Sequence, residues 1–138
     1  MKKIFLLGLV IVMLPLIVSC DPKTEPVLSI TGLVEASFSQ SDLESMPVIE
    51  VYYTNKDGET AGYSGVAINE ILLGSEIEKF TSLNIVASDG YSVKVTFDEL
   101  SMCSDCVLSF SKENNWSSVM PNFPGKLQVK DVIELNLE

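Results

Sequence analysis

The chain contains no arginine and no histidine. Without arginine it lacks the forked guanidinium that best grips phosphate and other oxyanions. Without histidine it has no Ser/His/Asp set and no imidazole to hold a metal. Only three cysteines and one tryptophan occur in its 138 residues. It has no P-loop, no glycine-rich dinucleotide loop, no solenoid repeat and no low-complexity tract. Its longest apolar run, Ile4 to Val18, is short for a membrane span. Nine lysines stand against nineteen acidic residues, a formal charge of −10. Such a chain repels nucleic acid and anionic lipid surfaces, so no nucleic-acid partner is expected.

What is present begins with an export signal. Residues 1–19 carry Lys2 and Lys3 and then the apolar run, the layout of a secretory signal peptide. The run ends Leu16-Ile17-Val18-Ser19-Cys20, which looks like a bacterial lipobox, where cleavage precedes a cysteine that receives the lipid. Cys20 is therefore the expected lipid attachment, and a bacterial membrane the expected site, with the domain outside the cytoplasm. Asp21 after it resembles the signal that keeps some lipoproteins in the inner membrane. Residues 20–26 then form the lipidated cysteine and a polar tether with two prolines, reaching about 20 Å if extended. Residues 27–138 are one domain's worth of chain, enough for a core without staples. Once Lys2 and Lys3 leave with the signal, seven lysines face nineteen carboxylates, a balance of −12. That charge keeps an exported protein soluble.

Two hairpins organise the domain. Tyr91, Val93 and Val95 alternate with polar residues, as do Leu83, Ile85 and Ala87 upstream. A three-residue loop, Ser88-Asp89-Gly90, pairs Ile85 with Val93 and puts both apolar rows on one face; a two-residue loop would oppose them. Lys56-Asp57-Gly58 repeats the device, pairing Tyr53 with Ala61 and Val51 with Tyr63. Both glycines are expected at positive φ. Ser41 with Glu44 and Thr96 with Glu99 read as capping boxes of short helices. Pro47 stops the first of these helices. Ile68, Ile71 and Leu72 mark another, with Gly74 placed to end it. Cys106, Leu108 and Phe110 alternate as a strand, and Ser111 to Ser118 reads as a polar loop. Leu127, Val129, Ile133, Leu135 and Leu137 make closing strands. The class is α+β, with mixed or antiparallel hairpins and short helices.

One local constellation carries chemistry: Cys103-Ser104-Asp105-Cys106. Such a pair can be a structural disulfide, free thiols, a redox couple or half a metal site. Val107 stands where c-type haem attachment needs His, and zinc could be completed only by carboxylates. In an exported chain a disulfide between Cys103 and Cys106 is expected. Asp57 and Asp89 are turn residues beside Gly, and the pairs Asp42-Glu44 and Asp98-Glu99 suit helix starts. Tyr52, Tyr53, Tyr63 and Tyr91 suit hairpin packing. Trp116, in polar surroundings, either anchors a partner or folds back on the core.

The order SITGLVEASFSQSDLESMPVIEV, YSGVAINEILL, VASDGYSVKV and VKDVIEL resembles the molybdopterin-binding domain of the sulfite-oxidase type, in a small lipoprotein form. The match spans roughly Val27 to Leu137. The resemblance implies that fold, an oxidoreductase ancestry and a molybdopterin cofactor. It also implies a molybdenum-ligating cysteine at the end of the first hairpin strand, and arginine and histidine for the pterin phosphate and the substrate. Here Tyr52-Tyr53-Thr54-Asn55 stands at the first place, and neither of the other residue types exists. The segment before Val119-Met120-Pro121 is also short for the family. No catalytic, metal or cofactor-binding residue is carried over, and no cofactor is expected. The expected role is a lipid-anchored, cofactor-less binding or accessory module with a protein or small-molecule partner. The alternative is a molybdopterin-dependent oxidoreductase or a Cys-x-x-Cys redox protein.

Overall fold

The structure, a computed structural model, describes residues 25–77, 79–111 and 115–138. The expected signal peptide, Cys20 and most of the tether lie outside the described residues. In chain order the elements are β1 (Pro26–Gly32), β2 (Ala36–Ser39), α1 (Gln40–Glu44), β3 (Val48–Thr54), β4 (Thr60–Ala67) and α2 (Ile68–Gly74). They continue with β5 (Ser82–Ala87), β6 (Ser92–Thr96), α3 (Phe97–Ser101), β7 (Val107–Phe110), β8 (Trp116–Val119), a 3-10 turn (Gly125–Leu127) and β9 (Val132–Leu137). Pro26, assigned above to the tether, is already paired with Ser39 as the first residue of β1.

The strands form two sheets, ordered β2-β1-β9-β5-β6 and β3-β4-β7-β8. β1 and β9 run parallel, and the other pairs are antiparallel. The fold is α+β with few, short helices. Leu28, Ile30, Ile85, Val95, Leu135 and Leu137 fill the main core from the larger sheet, with Ile68, Ile71 and Leu108 against them. A smaller cluster joins Val51, Val107 and Val119 under the β3–β4 hairpin.

Both hairpins take the expected register. Ile85 pairs with Val93 and Leu83 with Val95, while Tyr53 pairs with Ala61 and Val51 with Tyr63. Gly90 has φ 87° and Gly58 φ 82°. Asp89 accepts the Tyr91 N–H at 2.9 Å, and Asn55 Oδ1 accepts from Asp57 and Glu59 across the other loop. Thr96 and Glu99 form their capping box, and the Thr96 N–H, then its hydroxyl, hold the Glu99 carboxyl below its usual range.

Four local expectations are corrected. The capping box of α1 is Ser39 with Asp42, not Ser41 with Glu44. Ser39 ends β2 in extended conformation, so its hydroxyl already faces the helix start; Glu44 bonds Gln40 instead. Gly74 does not end α2 from a left-handed cap. It is the last helical residue, and Glu76 takes the positive φ of 61°. Part of the expected loop is strand β8, opposite β7, where Trp116 packs at a tilt of 46° against Phe110 with centroids 5.1 Å apart. Trp116 is only 5 % exposed, so it packs into the core. Finally, Leu127 lies in the 3-10 turn, and a bulge in β9 reverses Ile133. Val86 faces Glu134 and Ala87 faces Val132, which leaves Ile133 unopposed and turned to solvent while Val132 enters the core.

Candidate functional site: a polar cleft beneath the first hairpin

Tyr53 and Tyr63 belong to the inward row of the β3–β4 hairpin, and Val51 anchors that row on Val107 and Val119. The hairpin thus overhangs β8 and the segment before β9. Between them opens a cleft of about 670 Å3. Gly125 leaves room for the Tyr53 phenol, since a Cβ there would come within 3.3 Å of its oxygen.

Several polar groups in the cleft are spent on building it. The Ser118 hydroxyl donates to the Leu127 carbonyl at 2.7 Å and accepts the Val129 N–H at 2.8 Å. The Gln128 amide bonds both the N–H and the carbonyl of Met120, each at 2.8 Å. These contacts fasten residues 127–129 along β8. The Asn55 amide serves its own loop. What remains on the wall is Tyr53, Tyr63, Asn115, Ser117, Lys130 and Asp131. Their side chains make no hydrogen bond or ion pair among the described residues. A smaller neighbouring cleft of about 260 Å3 shares Asn115 and Asp131 and is also lined by Trp116. Among the described residues the Trp116 indole N–H is buried without a partner, and an unmet buried donor is costly.

Phenols, an amide, a hydroxyl and one charge of each sign suit hydrogen bonding to a polar ligand with aromatic faces beside it. They do not suit molybdopterin. Tyr53 and Asn55, from the stretch where the resemblance implies the metal-ligating thiol, wall the cleft and carry no sulfur. Lys130 is its one cationic side chain among the described residues, and burying a pterin phosphate needs several fixed donors.

The cysteine pair lies elsewhere and lines neither cleft. Cys103 and Cys106 are joined in a disulfide, with Cα atoms 5.5 Å apart. Both are buried between α3 and β7, where Asn69 Nδ2 donates to the Leu100 carbonyl at 3.1 Å. Cys103, Asp105 and Cys106 cluster closely enough to suggest a metal. Sulfurs bonded to each other supply no thiolates, so the cluster offers only one carboxylate in this state. The ring is small, so its reduction should cost about 2 kcal/mol at most. Urea unfolding with and without reductant should show a modest shift of midpoint and an unchanged slope; a collapse of the fold would mean that the bridge carries more.

Asp57 and Asp89 sit in their turns and line neither cleft. The sequence reading did not single out Asn115, Ser117, Lys130 or Asp131. Gln128 and Lys130 were visible only as the polar alternates of Leu127 and Val129.

No family model matches the chain, and no curated protein matches it. Among solved structures it is similar to the sulfane dehydrogenase SoxCD from Paracoccus pantotrophus, with a TM-score of 0.69 and 19 % identity. The likeness covers 83 % of this chain and 38 % of that one. The chain thus spans well under half the length of that enzyme chain. At this identity the relationship is one of fold, and distant.

Proposed function

We propose that the protein is a lipid-anchored, extracytoplasmic binding or accessory module of bacterial origin. It has the sulfite-oxidase-type fold without the metallocofactor. Cys20 holds it to the membrane, and the cleft under the β3–β4 hairpin takes a small polar ligand. One observation carries this reading. The wall that should present a thiolate and strong cations presents Tyr53, Tyr63, Asn115 and Ser117, with Lys130 as its only cation among the described residues. The long-range field of a mature chain at −12 (seven lysines against nineteen carboxylates) adds to the barrier against an anionic cofactor.

The deciding experiment is expression in a host that makes molybdopterin, followed by elemental analysis of the purified protein. Molybdenum far below one atom per chain is expected. Near-stoichiometric metal would overturn the reading and promote a molybdopterin-dependent oxidoreductase in its place.

A further inference from the structure

Each sheet has two edges, and three of the four edge strands are guarded. β2 has four residues and runs straight into α1. β6 carries the exposed Lys94, which pairs with Glu138. β8 has its outer side occupied, since the Ser118 N–H donates to the Val129 carbonyl at 2.8 Å. Short length, lysine and cover are the usual defences of an edge.

β3 has none of these. It is seven residues long, VIEVYYT, and among the described residues it pairs only with β4. Its register with β4 is continuous from Val48 to Thr54, with no bulge. The Asn55 N–H donates inward to the Glu59 carbonyl, so by the two-residue period Tyr53, Val51 and Ile49 bond inward as well. The N–H and C=O groups of Val48, Glu50, Tyr52 and Thr54 therefore point outward. Val48 is 57 % exposed and Tyr52 62 % exposed. Glu50 lies between them and accepts the Tyr52 hydroxyl at 3.0 Å.

We infer that the outer edge of β3 is a docking site for an extended basic segment of a partner protein, added as a further strand. Main-chain bonds to Glu50 and Tyr52 supply the pairing, and alternate side chains supply the choice. Glu50 at the centre of the edge calls for lysine or arginine opposite it. Val48 and Tyr52 call for apolar neighbours. A second copy of this chain would bring the same negative charge to the edge, which disfavours it.

The test uses the full chain in detergent and the capped peptide Thr-Val-Thr-Lys-Thr-Val-Thr as probe, whose two valines and lysine share one face of the added strand as Val48, Glu50 and Tyr52 share theirs. Hydrogen exchange should slow at the amides of Glu50, Tyr52 and Thr54 when the peptide is added. A peptide N-methylated at alternate residues should bind at least tenfold more weakly, because it keeps the charge but loses the pairing. Glu50→Lys should weaken the basic peptide tenfold or more and favour a Glu-for-Lys version. Tyr52→Pro removes an outward N–H without touching the ladder to β4. It should keep its melting temperature within a few degrees and lose the peptide. Equal binding of the N-methylated peptide, or indifference to Glu50→Lys, would overturn the inference. So would a concentration-dependent dimer protected at β3 without peptide, which would make the second copy the occupant.

Discussion

Gly32→Ala is expected to leave little folded protein. Gly32 ends β1 at φ 93° and lies beside Leu137 on the parallel strand β9. An added Cβ would stand 2.0 Å from the Leu137 carbonyl oxygen and 2.9 Å from its carbon. Those are backbone atoms in the middle strand of the larger sheet, and they cannot turn aside as a side chain would. The positive φ alone costs about 1–2 kcal/mol for a residue with Cβ. Forcing β1 from β9 adds more, so a total of about 4 kcal/mol or greater is expected. That is a large part of the 5–15 kcal/mol that holds a typical domain folded. Gly90→Ala is the control. It has a similar φ of 87°, but nothing within 4 Å of the new Cβ. It should cost only about 1–2 kcal/mol. Urea unfolding of both variants checks the difference. Equal, mild effects would show that the β1–β9 approach tolerates a methyl group.

Cys20→Ala should abolish acyl labelling and move the protein out of the detergent phase. Among the described residues no helix is long and apolar enough to cross a membrane. The acidic chain is repelled by anionic lipid rather than drawn to it. Attachment under the proposed reading rests on acyl chains at one cysteine, and stable anchoring takes two or more of them. Phase partitioning and fatty-acid labelling of both forms make the check. A variant that still carries label and still partitions with detergent would remove the lipobox from the account.

Hairpins were the most legible part of the fold. Their evidence is local: a period of two in the side chains and an Asp-Gly pair that fixes the loop length. Helix starts were nearly as legible. The first was displaced because Ser39 and Ser41 both precede an acid by three residues, and only the end of β2 decides between them. β8 was hidden because its Ser117 and Ser118 read as loop. Both serve the site: Ser118 fastens the next segment and Ser117 faces the cleft. The cleft itself could not be read in advance. Its walls come from Tyr53 and Tyr63, from Asn115 and Ser117, and from Lys130 and Asp131, which only the tertiary fold brings together. No spacing rule links such a mixed polar set across these separations, whereas a ligand set of cysteines or histidines would have announced itself. Ile133 was misplaced for a related reason: a bulge in β9 shifts the alternation and has no residue signature there.

β9 lies between β1 and β5, yet it is the last of the described elements to leave the ribosome. Thr31 donates to Glu134, a partner 103 residues further along the chain. Until β9 has been synthesised, β1 with β2 and β5 with β6 are separate ribbons with no strand between them. High contact order of this kind makes folding slow and late. For a chain read as an export substrate that delay is useful: its larger sheet cannot lock while the polypeptide is still being threaded across a membrane.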